Sequence, residues 1–416
     1  MGDPEGMGLN DGGPRDVKPY TPVATLDRNV NDNPIFDREG VAEVVGMQPS
    51  FIRKVLGTNS PLLSAQDVVT LLDQDAYAET FVPRSRVINY LMTRAARNEM
   101  KPEPLDSTGL AFGSAGDLIP RLAPQSVQTV VTSTPYWAMR VYDDMRADVW
   151  ADGEVCPYGL EQTPEGFIRH SVELIVSLKR AMKPGGSIWW NLGDTYNTRT
   201  QIRGNAAEAL RAMQGKDRKT WHDHAARRYS AGHSYLKDGE QCLIPQRIAE
   251  RASRAGFYVK SIITWGKPHS MPEPQNSRVS RAVEYVIHLS LQRTPDFYRN
   301  AYLETPEVLG GKGRRETDKL SDSWLFAPSD GRGGHGAQFP LALPGRCISI
   351  SSQPGDLVLD PFMGSGTTAI AAERLGRRWL GFDVSETYLN SARIRVENSR
   401  QQDLLTLERE DVGELV

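Results

Sequence analysis

Two stretches of this chain end a run of β-branched and aliphatic residues in side chains fit for chemistry. In VVTSTPYW, two valines run into Thr132, Ser133, Thr134, Pro135, Tyr136 and Trp137, so a strand stops in hydroxyls, a proline and two aromatic rings. In DLVLDPFMGSGTT, a strand ends at Asp360 and passes through Gly364 and Gly366 into Thr367 and Thr368, which open a helix. A glycine-rich turn at such a junction brings backbone N–H groups to a strand end and lets a ligand approach the main chain. The loop lacks the lysine of a phosphate-cradling G-x-x-x-x-G-K-[ST] turn, which favours a nucleotide ligand without a triphosphate. One strand later WLGFD ends in Asp383, in the place where an acid accepts hydrogen bonds from ribose hydroxyls. GSG alone is often no more than a tight turn; the acid on the next strand is what points to a ligand.

These strand ends need a scaffold, and the hydrophobic pattern supplies one. SVQTVVTS, SIWWNLGD, FYVKSIITWGK, AVEYVIHLS, DLVLD and RRWLGFDVS read as strands. They alternate with amphipathic helices in PEGFIRHSVELIVSLKRAM (closed by KPGG), LIPQRIAERASRAG, TTAIAAERLG and SETYLNSARIRVEN, with RCISIS as a helix-like lead into DLVLD. Such alternation predicts an α/β domain with a largely parallel sheet whose ligands lie at the carboxyl ends of the strands. Residues 1–35 are turn formers without periodic hydrophobicity and read as a flexible arm. Residues 36–105 read as a helical module: a helix over Gly40 to Val45, a turn, a helix opened by Pro49, and a third over SAQDVVTLLDQ with Ser64 as its N-cap. That spacing fits a helix-turn-helix as well as a plain bundle, and Arg53 and Lys54 on the second helix favour DNA. The α/β domain is expected over 106–400 and a tail over 401–416.

The chain has 416 residues, 39% apolar and 24% charged, with a net charge of −3. That composition suits a soluble globular protein and excludes a globally basic coat, so any nucleic-acid contact must come from local clusters. Cys156, Cys242 and Cys347 are far apart and lack CxxC spacing, which argues against a disulfide framework and a zinc site. No secretory h-region or membrane-length apolar run is present, and a reducing cytoplasm is the expected location.

TSTPYW and DPFMGSGTT together resemble the amino-methylating DNA methyltransferases, which methylate cytosine N4 or adenine N6 using S-adenosylmethionine. The motif order, with the TSTPYW strand first and the glycine loop near the carboxyl end, is similar to the permuted β-type members, and GDLIPRL, NLGDTY and AQFP fit the same order over about Leu110 to Val396. The resemblance implies a Rossmann-like S-adenosylmethionine-dependent methyltransferase fold. It implies that Thr132, Asp360, Phe362, Gly364, Ser365, Gly366 and Thr367 surround the cofactor's methionine part, that Asp383 holds the ribose, that Asp117 lies near the adenine, and that Phe339 and Pro340 close the pocket. Asp117 as a helix cap and Phe339 as a core residue are the structural alternatives.

The resemblance makes Ser133, Thr134, Pro135 and Tyr136 the catalytic segment. An exocyclic amine is a poor nucleophile because its lone pair is delocalised into the ring. The Ser133 hydroxyl and the Thr134 carbonyl can accept its two hydrogens and turn the lone pair toward the methyl group. Tyr136 would stack on a base flipped from the duplex, and Trp137 would widen that platform or pack beneath it. Serine in S-P-P-Y mostly marks cytosine N4 members, and threonine for the first proline is a departure. Adenine N6 methylation and a DNA-binding regulator with a degenerate cofactor pocket stand as alternatives. Cytosine C5 chemistry is disfavoured, because it needs a cysteine nucleophile that follows a proline in that family, and none of the three here does.

Double-stranded DNA is the expected partner, and a second copy of the chain and a cognate restriction endonuclease are compatible with the resemblance. Two insertions are candidates for reading DNA. In 197–245 basic residues outnumber acids by about two to one, with Trp221, His222, His224, Tyr229 and Tyr235 interleaved. In 293–336 the runs GGKGRRE and DGRGGHG stand where permuted members often carry their recognition segment. Arg278, Arg281 and Glu284 match positions that either hold the target strand or form an ion-pair set. The histidines lack a His-Glu-x-x-His pattern, and no metal is expected.

Overall fold

The computed structural model describes residues 35–38, 41–42, 49–72, 105, 108–137, 144–150, 154–161, 163–197, 236–237, 239–268, 277–327 and 339–413. In chain order these form β1 (Ile35–Asp37), α1 (Pro49–Leu56), β2 (Leu62–Ser64), α2 (Ala65–Leu72), β3 (Gly109–Phe112), α3 (Ala115–Leu118), β4 (Val127–Ser133), β5 (Asp148–Val149), β6 (Val155–Cys156) and α4 (Pro164–Ser177). There follow β7 (Met182–Leu192), α5 (Ile244–Arg254), β8 (Tyr258–Gly266), β9 (Val283–Ser290), α6 (Ala301–Glu304), β10 (Ser323–Leu325), α7 (Ala342–Ser351), β11 (Leu357–Asp360), α8 (Thr367–Arg374), β12 (Arg378–Asp383) and α9 (Glu386–Gly413).

Eight strands form one sheet in the order β10-β8-β9-β7-β4-β11-β12-β3. All neighbours run parallel except β9, which is antiparallel to both β7 and β8. The central strands are buried on both faces, so their near-continuous apolar runs split between two cores by the two-residue period of a strand. Val130, Trp190 and Leu359 enter a core shared with α3, α4 and α5. Val131, Trp189 and Val358 enter the opposite core, shared with α7, α8 and α9. The chain leaves β4 toward β7, and β11 leads to β12 on the other side, so the sheet's switch point lies between β4 and β11. In such sheets a ligand crevice opens outside the carboxyl ends of those strands.

Several sequence expectations change. Lys183 to Gly186 lie inside β7 rather than closing α4, at a register shift between Val127 and Thr129 of β4. Strand β3, at one edge of the sheet, was not anticipated, and β10, within the candidate insertion 293–336, forms the other edge. The expected tail is helical, because α9 continues to Gly413. In the amino-terminal module Pro49 opens α1 as expected, and Ser64 and Asp67 cap α2 reciprocally. An unexpected strand pair joins β1, before α1, to β2, between α1 and α2, and Ile35 belongs to β1 rather than to the arm. Most of the helix expected over Gly40 to Val45, the rest of the arm and residues 198–235 and 328–338 lie outside the described residues. Among the described residues no helix is long and apolar enough to cross a membrane, and all three cysteines are buried and outside any disulfide.

Candidate active site at the strand ends

Asp360 closes β11 with its side chain turned inward. Its Oδ1 accepts from the Thr132 hydroxyl at 2.6 Å and the Phe362 N–H at 3.0 Å, and its Oδ2 accepts from the Thr368 hydroxyl at 2.6 Å. Burial pushes its carboxyl up to about 6, against those donors. Asp360 and Thr132 are both buried, and their bond, with those to Phe362 and Thr368, ties β4, the loop and the first turn of α8 together.

The loop they hold needs its glycines. Gly364 and Gly366 have φ of 51° and 85°, the left-handed region that side chains other than glycine rarely adopt. A Cβ on Gly366 would sit 3.0 Å from Ala392 on α9, whereas a Cβ on Gly364 would meet nothing nearer than 4.0 Å. One face of the loop is therefore packed and the other open. Asp383, at the end of β12, accepts from the Gly364 N–H at 2.8 Å and the Ser385 N–H at 2.9 Å, and burial raises its carboxyl above the usual range. Arg395 of α9, which sequence reasoning did not single out, donates to the carbonyl and hydroxyl of Ser365, each at 2.6 Å. Ser365 and Thr367 are buried beneath the loop. Phe362 stacks on Tyr158 at 5.0 Å and meets Trp190 edge-on at 6.1 Å.

The outer members of the set are less tightly held. The N–H of Asp117 is taken by Ser114, the true cap of α3, and its carboxylate is half exposed, 3.8 Å from Arg146. The Gly113 N–H donates to the Asp383 carbonyl at 3.0 Å, which brings that helix beside the acid. Phe339 and Pro340 are half-buried before α7, with Phe339 against the second core.

The TSTPYW segment sits on the neighbouring strand end. Ser133 pairs in register with Asn191 of β7, and Asn191 Nδ2 donates to Ser133 Oγ at 3.1 Å and to Tyr136 Oη at 3.0 Å. The Thr134 N–H donates to the Asn191 carbonyl at 3.2 Å. Tyr136 in turn donates to Glu284 Oε2 of β9 at 2.5 Å, and the Lys267 ammonium pairs with the other oxygen of that carboxylate. Burial, reinforced by the Glu284 charge, holds the phenol well above its ordinary pKa, so it stays a donor. The Tyr136 ring lies on Gly193, where a Cβ would be 3.0 Å from two ring carbons, and Pro135 lies equally close over Gly159. Trp137 is buried, with its indole N–H on the Glu161 carbonyl at 2.9 Å, so it packs beneath the loop instead of widening it.

Glu284, Arg278 and Arg281 do not form one ion-pair set. Glu284 belongs with Tyr136, Asn191 and Lys267. The two guanidiniums lie over the Tyr196 ring at 3.7 and 5.2 Å, and Arg281 donates to the Asp194 carbonyl. Asp194 of NLGDTY receives the Leu243 and Ile244 N–H groups at 3.0 Å each and so caps α5. Asn191 and Asp194 were legible only as letters of that motif; their roles come from the register of β7 beside β4.

The model of a family described as a DNA methylase matches residues 127–393. The chain is 30% identical over 299 residues to the Type II methyltransferase M.Cfr9I of Citrobacter freundii, spanning 71% of this chain and 91% of that protein. It is 31% identical over 303 residues to M.XycI of Xanthomonas campestris pv. cyanopsidis, spanning 72% and 91%. Among solved structures, the PvuII DNA methyltransferase (cytosine-N4-specific) superposes with a TM-score of 0.49 at 19% identity, over 72% of this chain and 92% of its own.

Proposed function

The chain belongs to the DNA methylase family that acts on adenine N6 and cytosine N4, and from that premise we propose that it transfers a methyl group from S-adenosylmethionine to the N4 amine of a cytosine flipped out of duplex DNA. The observation that carries the reading is the pairing of Ser133, held by Asn191, with a glycine loop one strand away whose outer face is open. The loop suits this cofactor: Gly364 leaves room for close approach, no lysine waits for phosphates, and Asp383 stands where a ribose would bind. Bound there, the cofactor supplies an electrophilic methyl group on a sulfonium.

The protein's own part is orientation. The backbone from Phe362 to Gly366 would line the methionine end, Asp117 would face the adenine, and Phe339 and Pro340 would close the pocket. Asn191 uses one lone pair of Ser133 Oγ, and the other accepts one hydrogen of the target amine. The Thr134 carbonyl would accept the second, which would direct the nitrogen lone pair toward the methyl donor, and the amine's surplus proton would leave to solvent. Threonine at this position keeps the carbonyl that proline would offer, and its N–H is satisfied by Asn191. Tyr136 faces the base, with its phenol fixed by Glu284.

Turnover with methyl-labelled cofactor on mixed-sequence duplex DNA tests the reading. Label transferred to DNA is expected, and Ser133→Ala should bind cofactor yet transfer poorly. DNA binding without transfer would instead favour a regulator with an idle cofactor pocket.

A further inference from the structure

Behind the catalytic segment three side chains of different chemistry converge. Glu154 and Cys156 lie at the β6 strand and His170 on α4; a carboxylate oxygen, the thiol sulfur and an imidazole nitrogen lie within 4.8 Å of one another. Cys156 and His170 are buried, and the Glu154 side chain reaches the rim at 20% exposure. His170 Nε2 is 3.9 Å from Glu154 Oε2. Its other ring nitrogen, Nδ1, is 3.1 Å from Oε1 of Glu161, a fully buried carboxylate that also accepts the Gly159 N–H. The Trp150 indole lies flat on the imidazole, 4.1 Å away and inclined by 6°. The ring is thus clamped by a carboxylate on one edge and an aromatic plane on its face, with Nε2 on the side of Glu154.

A carboxylate behind an imidazole, with a thiol and a second carboxylate on the opposite side, is how proteins orient a histidine toward a metal. Sulfur excludes magnesium and calcium, and a single cysteine excludes an iron–sulfur cluster. Zinc accepts this donor set, with bonds of about 2.0 to 2.3 Å that hold donors about 3.3 to 3.8 Å apart. Closing from the present spacing requires Glu154, at the rim, and the hairpin that carries it to move inward by about 1 Å.

We propose that Glu154, Cys156 and His170 bind one zinc ion, which fastens the β5–β6 hairpin to α4 and stiffens the floor under both functional loops. On binding, the Cys156 S–H bond breaks and its thiolate takes the metal, His170 ligates through a deprotonated Nε2 while Nδ1–H faces Glu161, and the displaced protons go to solvent; the ion and its three ligands together are neutral, beside the Glu161 carboxylate. A water or a fourth donor completes a tetrahedron. The floor is continuous with the active site: Gly159 packs under Pro135, Tyr158 stacks on Phe362, and the Glu161 carbonyl holds Trp137. The cysteine spacing gave no sign of this, because the donors come from a hairpin and a helix that meet only in the fold. The inference does not depend on which base is methylated.

The test uses the full chain after chelator treatment, titrated with Co²⁺ as a spectroscopic probe and with Zn²⁺ by calorimetry. The expected result is about one ion per chain, a thiolate-to-cobalt charge-transfer band with tetrahedral visible bands, and a higher Tm with zinc. Cys156→Ser should abolish the charge-transfer band, and Glu154→Gln should weaken zinc binding by about 10-fold or more with unchanged circular dichroism. Absence of the sulfur-to-cobalt band, or zinc affinity equal in wild type and Glu154→Gln, overturns the proposal. Glu154→Gln alters a rim residue, so it decides the matter even if Cys156→Ser fails to fold.

Discussion

The phenol of Tyr136 donates to Glu284 across 2.5 Å, and that one bond ties the segment after β4 to β9, two strands away in the sheet. Asn191, on the strand between them, donates to both partners and to Ser133. The position of the TSTPYW segment is therefore set across three strands. Breaking the tie with Tyr136→Phe should lower methyl transfer about 10- to 100-fold through misplacement while leaving cofactor affinity nearly intact. Single-turnover transfer alongside a cofactor titration checks this; equal losses in both would mean that the bond supports the fold and not the alignment.

Ser133→Ala should cost about 10²-fold in transfer, the magnitude expected when one preorganised contact to the reacting group is lost. Asn191→Ala keeps the Ser133 hydroxyl but frees its rotation, so a smaller loss is expected, and because Asn191 also holds Tyr136 the double variant should lose more than Ser133→Ala alone but less than the two losses combined. A double-mutant cycle in transfer rate reads this directly. Additive losses would show that the two residues act separately.

Asp383→Ala should weaken cofactor binding about 10-fold or more, since a charged acceptor of the Gly364 and Ser385 amides is removed along with the proposed ribose contact. DNA binding should be unaffected. Calorimetry for the cofactor and a gel-shift titration for DNA separate the two, and an unchanged cofactor affinity would undo the assignment.

The outline of the fold was legible because its central strands and long helices carry strong periodic signals. VQTVVTS, SIWWNL and LVLD read as strands from their own residues. Strand β3, four residues long, and the edge strand β10, three residues long, exist by pairing with neighbours distant in sequence, and no local pattern announces them. KPGG reads as a stop, yet the sheet draws it into β7. In the site, Ser133, the glycine loop and Asp383 stood out as strand-end residues. The contacts among Asn191, Glu284 and Lys267 did not, because they depend on the register between β4, β7 and β9. Asp360 stood out as an acid at a strand end; its bonds to Thr132, Phe362 and Thr368 did not, because they depend on how β4 and α8 pack against the loop.

Asp360 also makes a pH prediction. Burial raises its folded-state pKa from 3.8 to about 6. The folded chain therefore holds this proton more tightly than the unfolded chain does. The stability it contributes is fully present below about pH 4 and is lost as pH rises through about 6, a swing of about 3 kcal/mol at most. Asp360→Asn should lack this component, with Thr368 turning its hydroxyl to accept from the new amide. Urea unfolding of both proteins across pH 4 to 7 should show the difference between them moving in favour of the variant as pH rises; a difference independent of pH would contradict it.

The most direct measurement is the identity of the methylated base. After incubation with mixed-sequence duplex DNA and S-adenosylmethionine, the DNA is digested to nucleosides and resolved by mass spectrometry against both standards. The account predicts N4-methylcytosine, made by a serine-led segment in which threonine replaces the first proline. N6-methyladenine would leave fold and cofactor standing and contradict the role given to Ser133 in choosing the base.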